Sequence, residues 1–222
     1  MQRVPSFRLP GSPRTASPLS ASHSGDVIQL ANHTGPIELD VSPREETVTP
    51  TQESTRLEEF CSYFLCDTGL FGKYPTNGEL KLLEAAGVSV FVDLTTEKLP
   101  EYTIAPSSQH IKYPLMDRRI PYDMENFKKF ILRLIGFIKE NKKIYIHCRG
   151  GHGRAGLTVA CLLVVYLGLT SEQAITKTNE AHNQRLVMDT RWRTLGAPQT
   201  SAQKTFVFKF AQYVKSPRAA NE

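Results

Sequence analysis

Apolar residues recur along the chain from about residue 60 onwards, first in short runs and then at helical spacing. The stretch YFLCDTGLFGKYP has the aromatic and turn residues of two short strands joined through residues 67–69. VSVFVDL is a continuous apolar run, typical of a strand buried on both faces, and IKYPL and KIYIH are shorter apolar runs. The pattern therefore predicts strands in each of these places.

Helical patterns separate the predicted strands. Asn77 can cap a helix over residues 79–86, which Gly87 closes. Asp123 can cap a longer helix, whose apolar face consists of Phe127, Phe130, Ile131, Leu134, Ile135 and Ile138. The order of strands and helices predicts an α/β fold with a central, mostly parallel, twisted sheet flanked by helices. Ligands are then expected at the carboxyl ends of the strands.

The composition changes near residue 55. Residues 1–55 are rich in Ser, Pro, Thr and Gly without sustained periodicity, and they are predicted to be a disordered tail. We expect a folded domain over residues 56–216 and a disordered end over residues 217–222. The net charge is +5, and the tail holds four Arg against six acidic residues, so the remainder of the chain is more basic still. A basic domain favours anionic partners.

Cysteine usage and hydropathy bear on the cellular compartment. The chain has four Cys, no Cys-x-x-Cys pair and no apolar run long enough to span a bilayer, so neither disulfides nor a transmembrane segment is expected. Arg3, Arg8 and Arg14 resemble part of an organelle transit peptide, but the neighbouring prolines oppose the amphipathic helix of such peptides. We therefore expect a cytoplasmic protein, with the nucleus as the alternative, and no organelle targeting.

The segment IYIHCRGGHGRAG joins a predicted strand to a helix that is predicted over residues 154–167. Helix starts present unpaired N–H groups, and glycines allow successive amides to turn inward around a tetrahedral oxyanion such as phosphate. Arg154 lies six residues after Cys148 and can hold two phosphate oxygens, while the same amides stabilise Cys148 as a thiolate. The predicted phosphate-binding residues are Arg149, Gly150, Gly151, His152, Gly153 and Arg154.

Further residues must decide the chemistry, because rhodanese-like sulfur transferases also place a Cys in a six-residue anion loop. Thiolate attack on a phosphomonoester expels an alkoxide or phenoxide, which an acid should protonate. Asp117 in PLMDRRIPYD follows a predicted strand and is the candidate acid, with Asp93 as the runner-up that more simply anchors the loop after it. Gln199 and Gln203 lie one helical turn apart and can orient water against a phosphocysteine.

Together, IHCRGGHGRAG, MDRRIP and PQTSAQ resemble the signature, acid and glutamine loops of the cysteine-dependent protein tyrosine and dual-specificity phosphatases, in the same order. GLFGKYP and DLTTE also resemble compact dual-specificity members, and the resemblance covers all but the two ends of the chain. It implies that Cys148 is the nucleophile, Arg154 the phosphate clamp and Asp117 the general acid. It also implies Gln199 and Gln203 as water-positioning groups, with neither a metal nor a cofactor.

One residue departs from the pattern of that family. Ser or Thr usually follows the signature arginine, where its hydroxyl stabilises the departing thiolate, whereas this chain has Ala155. We therefore expect slow breakdown of the phosphocysteine intermediate.

Other charged residues have simpler interpretations. His147 is expected to brace the loop through a hydrogen bond. Arg185, Arg191 and Arg193 can extend an anion site or solvate a helix end, and the second interpretation is favoured.

Three functions follow from these residues. Hydrolysis of phosphotyrosine in proteins, with or without phosphoserine and phosphothreonine, comes first. An inositol phosphate or anionic phosphoinositide is the alternative substrate, because Arg149 and His152 occupy positions where phosphatase-and-tensin-type lipid phosphatases carry lysines, and a protonated His152 would contribute charge. A non-catalytic phosphate-binding scaffold is third. No nucleic acid partner is expected, and the sequence makes no prediction about oligomeric state.

Overall fold

The computed structural model describes residues 56–216, and the predictions for residues 1–55 and 217–222 lie outside this part of the chain. Within it, one sheet has the strand order β1-β2-β5-β3-β4. β1 pairs with β2 antiparallel, and the other three neighbouring pairs are parallel. The predicted mostly parallel sheet is therefore confirmed. The strands are β1 (Cys61–Leu65), β2 (Gly69–Gly72), β3 (Val88–Asp93), β4 (Gln109–Lys112) and β5 (Lys143–His147).

Helices cover both faces of this sheet. The cap of α1 differs from the prediction, because Thr76 rather than Asn77 accepts the N–H of Glu79, and the Glu79 carboxylate accepts the N–H of Thr76 at 2.8 Å. Gly87, with φ of 86°, follows α1 as predicted, and Asp123 caps α2. The helices are α1 (Asn77–Ala85), α2 (Met124–Lys139), α3 (Gly153–Tyr166), α4 (Ser171–Asn183), α5 (Thr190–Leu195) and α6 (Ser201–Lys215).

The edge strand β4 lies earlier in the chain than the apolar run IKYPL predicts. Pro114 has no N–H to donate, so regular pairing with β3 ends at Lys112. The chain nevertheless continues beside β3, since Tyr113 N donates to Asp93 O and Leu115 N donates to Leu94 O.

The core has one cluster on each face of the sheet. Alternate residues of β5 point to opposite faces, so Ile144 and Ile146 join one cluster while Tyr145 joins the other. The six apolar residues predicted on α2 are all buried. α3 is buried from Gly153 through Val164 and packs against α2, α4 and α6. Within residues 56–216, no helix combines the length and apolar character that crossing a membrane requires.

The three parallel strands β4, β3 and β5 lie side by side. Their carboxyl ends therefore share one edge of the sheet, and the loops that follow them meet there. Residues 94–108, 113–122 and 148–152 form these loops.

Candidate active site

The loop after β5 is held from outside through three successive carbonyl groups. Tyr74 N donates to Arg149 O at 3.1 Å. Arg185 donates to Gly150 O at 3.2 Å through Nη1 and to Gly151 O at 2.5 Å through Nη2. The C=O of a trans peptide points away from the N–H that follows it, so these bonds turn the next amides inward. The loop is thus a cradle of N–H groups, as an oxyanion requires.

Cys148 lies at the base of this cradle. Its Sγ accepts the N–H of Gly151 at 3.3 Å, and the residue is only 3% exposed. Gly151 has φ of 72°, and a Cβ at this position would collide with the backbone of Gly72 and Lys73. Only glycine therefore allows the loop to lie against the end of β2 with its amide directed at the sulfur.

The arginines downstream of the loop separate into different roles. Arg185 is 2% exposed and lies over the ring of Phe71, so its assignment to a solvated helix end was wrong. Arg191 lines the cavity above the loop, which also differs from that interpretation. Arg193 instead donates to Asn183 O at the end of α4, as a residue at a helix end does.

Arg154 lies in the first turn of α3 and is 1% exposed. Its Nη1 and Nη2 donate to the two carboxylate oxygens of Glu97 at 2.7 and 2.6 Å, and Nη1 also donates to Leu115 O at 3.1 Å. The hydrogen bonds from Arg154 lower the pKa of Glu97 to about 2. The loops after β3 and β4 thereby fix the orientation of the guanidinium.

A second edge of this guanidinium faces the remaining groups of the site. Nη2 of Arg154 lies 3.2 Å from Oδ1 of Asp117, and Nε has no hydrogen-bond partner within residues 56–216. Glu97 occupies the edge formed by Nη1 and Nη2. The edge formed by Nε and Nη2 is therefore the one that can donate hydrogen bonds to two phosphate oxygens, which then replace Asp117.

A cavity of about 380 Å³ opens above the loop and brings the predicted residues together. Asp117, whose side chain is 62% exposed, reaches this cavity from the loop after β4. The lining contains one carboxylate and four guanidinium groups, so it suits an anion. The lining residues are Asp117, Arg118, Cys148, Arg149, Gly150, His152, Gly153, Arg154, Arg191, Trp192 and Gln199.

The two predicted glutamines have different surroundings. Gln199 lines the cavity, and both glutamine side chains lie beside Gly153. Gln203 is fully buried, and its side chain accepts the N–H of Thr200 at 3.1 Å and donates to Arg119 O at 3.2 Å. The carboxamide of Gln203 thus caps α6 and ties it to the acid loop, which leaves Gln199 as the amide that faces the cavity.

His147 is fully buried, and its ring hydrogen-bonds to Tyr102 rather than to the loop after β5, contrary to the expectation. Its Nε2 lies 2.7 Å from the hydroxyl of Tyr102. Burial lowers the pKa of His147 to about 4, although the nearby Asp93 carboxylate opposes this shift. Asp93 accepts the N–H and hydroxyl of Thr95 at 2.8 and 2.7 Å, so it anchors the loop after β3, as expected of the runner-up acid.

His152 lies between the side chains of His182 and Trp192. Its Nδ1 lies 2.8 Å from Nε2 of His182, and its ring stacks on Trp192 with centroids 4.8 Å apart. Burial, assisted by the charge of Arg185, lowers the pKa of His152 to about 3. His152 is therefore neutral at physiological pH and forms a wall of the cavity with Trp192.

Sequence reasoning gave Glu97 no role of its own and favoured the wrong interpretation for Arg185. Glu97 belongs to the DLTTE segment, whose position after a buried parallel strand already placed it at the same edge as Cys148. Arg185 gave no comparable signal, because its contacts with the loop depend on how the segment after α4 packs.

Comparisons with known proteins identify the family of this domain. Residues 72–207, more than half of the chain, match the family model PTP-SAK, described as a Swiss Army Knife protein, DSP-PTPase phosphatase domain. The chain therefore belongs to this family of phosphatase domains.

Two viral proteins are similar in sequence. The chain is 40% identical over 162 residues to "Putative tyrosine phosphatase 197R" of Invertebrate iridescent virus 6, a match that covers 66% of this chain and 55% of the relative. It is 37% identical over 157 residues to the 067L protein of Invertebrate iridescent virus 3, which carries the same description, with 67% and 64% covered. The chain thus spans about three fifths of the length of these relatives.

The solved structure of Tk-PTP in the active form is similar in fold. The TM-score is 0.57 at 20% sequence identity, and the match covers 68% of this chain and 96% of that one.

Proposed function

We propose that this chain hydrolyses phosphotyrosine in proteins through a phosphocysteine intermediate. The observation that supports this proposal is the convergence of the Cys148 sulfur, inward amides, Arg154 and Asp117 on one cavity. The descriptions of the two viral relatives as tyrosine phosphatases favour the same activity.

The contacts suggest an order of events. Phosphate enters the cradle and takes the Nε and Nη2 edge of Arg154, which releases Asp117. The Cys148 thiolate attacks phosphorus, the bond to the phenolic oxygen breaks, and Asp117 gives its proton to that oxygen. Gln199 then orients a water molecule, and the Asp117 carboxylate accepts a proton from it as the water oxygen attacks phosphorus. The bond between phosphorus and sulfur breaks, so phosphate leaves and the Cys148 thiolate is restored.

Turnover of 4-nitrophenyl phosphate tests the nucleophile. We expect Cys148→Ser to abolish turnover and the exposed Cys66→Ser to leave it unchanged. Asp117→Asn should slow hydrolysis of a phosphotyrosyl peptide more than that of the nitrophenyl ester, because nitrophenolate is a weaker base and needs less protonation. Equal turnover by the wild type and Cys148→Ser would refute the proposal.

A comparison of phosphotyrosyl peptide, phosphoseryl peptide and a soluble phosphoinositide tests the substrate class. The neutral state of His152 removes one of the two loop charges that favoured an inositol lipid. We therefore expect the phosphotyrosyl peptide to have the largest kcat/KM. A larger value for the phosphoinositide would favour the lipid alternative instead.

A further inference from the structure

A second concavity lies beside the candidate active site, on the other side of the acid loop. Its volume is about 430 Å³. Three of its apolar side chains are unusually exposed: Met116 at 66%, Ile120 at 42% and Tyr122 at 106%. Single exposed apolar residues are ordinary, but three within seven residues indicate a contact surface. We define this apolar groove by its lining, Pro114, Leu115, Met116, Arg119, Ile120, Pro121 and Tyr122.

The acid loop divides its side chains between the two concavities. Asp117 and Arg118 line the cavity above Cys148, whereas Met116 and Ile120, on either side of them in sequence, line the apolar groove. Arg118 has φ of 61°, and this left-handed residue reverses the chain direction at the boundary. The apolar groove is therefore separated from the phosphate cavity by this single turn.

Hydrogen bonds connect the groove to the site. Arg154 donates to Leu115 O at 3.1 Å, and Gln203 donates to Arg119 O at 3.2 Å. Within the turn, Arg119 N donates to Met116 O at 3.1 Å. The groove consequently has a fixed place relative to the phosphate-binding arginine.

We propose that the apolar groove binds an apolar side chain of the phosphotyrosyl substrate, one to three residues from the phosphotyrosine. This proposal rests on the proposed function, and it places the bound peptide across the acid loop, whose turn separates the two concavities. Consecutive Cα atoms are about 3.8 Å apart, so a residue one to three positions away reaches across one turn. A concavity of this volume accommodates a side chain such as Leu, and its burial there favours the bound peptide.

Matched phosphotyrosyl peptides test the proposal with the full chain. Leu or Ser is placed at each of the three positions before and after the phosphotyrosine, and phosphate release gives kcat/KM. We expect Leu to exceed Ser about tenfold at one of these positions, as for the loss of an apolar group from a hydrophobic pocket. Ile120→Ser should reduce that preference to about twofold or less. Leu132→Ser on α2, at a residue of comparable exposure, should retain it.

The outcomes separate this inference from the proposed function. Equal rates for Leu and Ser peptides, or a preference that survives Ile120→Ser, overturn the groove assignment even if Cys148 remains essential. If Ile120→Ser instead weakens sedimentation with phosphatidylserine vesicles and peptide selectivity is absent, the groove contacts membranes and the proposal is wrong. Failure of every phosphotyrosyl substrate to turn over would overturn both proposals.

Discussion

The substitution Glu97→Gln tests how the phosphate-binding arginine is positioned. Glu97 binds Nη1 and Nη2 of Arg154 with two short hydrogen bonds, and this leaves the Nε and Nη2 edge for phosphate. Gln keeps one acceptor oxygen but places an amide N–H₂ against the other guanidinium nitrogen. A hydrogen bond to a charged group contributes about 1.5–3 kcal/mol. We therefore expect kcat/KM to fall about ten- to hundredfold.

The same substitution at the exposed Glu180 on α4 is the matched control, and it should leave kcat/KM unchanged. Steady-state kinetics with 4-nitrophenyl phosphate and with a phosphotyrosyl peptide measure the effect. If Glu97→Gln matched Glu180→Gln, or bound phosphate more tightly than the wild type, Glu97 would not be the group that orients Arg154.

Stability should report the same ion pair through its dependence on pH. Hydrogen bonds from Arg154 hold the pKa of Glu97 at about 2, below the usual value near 4.5. The stabilisation is therefore complete above pH 5 and is lost as the pH falls toward 2. The difference in the free energy of unfolding between the wild type and Glu97→Gln, measured by urea titration, should be constant from pH 5 to 8 and shrink below pH 4. A difference independent of pH throughout would contradict this reasoning.

Four further substitutions give distinct results. Gln199→Ala should slow phosphocysteine hydrolysis and enlarge the burst of nitrophenolate, whereas Gln203→Ala should lower the free energy of unfolding by about 1–3 kcal/mol because it leaves buried partners unsatisfied. Ala155→Ser should shrink the burst of nitrophenolate and raise steady-state turnover. Equal bursts from Ala155→Ser and the wild type would argue against slow hydrolysis of the phosphocysteine. Burial lowers the pKa of His182 to about 4, so the free energy of unfolding should decrease as the pH falls from 6.5 to 4. His182→Gln should reduce that slope in urea titrations by up to about 1.4 kcal/mol per pH unit.

The apolar periodicity predicted the fold because the buried faces and the ends of the helices are determined by residues within or next to each element. The apolar positions of α2 are all buried, and Gly87 and Asp123 end and begin helices where their side chains allow it. Two boundaries differ from the prediction because a neighbouring residue decides them. Thr76 rather than Asn77 caps α1 because Glu79 completes a reciprocal pair with it, and β4 ends at Lys112 because Pro114 follows.

The candidate site was predictable where adjacent residues perform one task. Cys148 and the glycines after it form one continuous loop, so the sequence alone indicated the cradle. The protonation state of His152 was not predictable, because it depends on His182 and Trp192, which approach only after α4 and α5 have packed. The position of Glu97 near Cys148 could have been inferred from the shared edge of the parallel strands. Its hydrogen bonds to Arg154 could be seen only in the folded structure.

The carbonyl contacts of Arg185 mean that the shape of the phosphate cradle is encoded well beyond the signature motif. A shortened chain that ended just before this arginine would still contain the whole segment IHCRGGHGRAG. Its loop would have lost the donors to the Gly150 and Gly151 carbonyls, and the product would also lack α5, α6 and Gln199, so it should be inert despite an intact nucleophile.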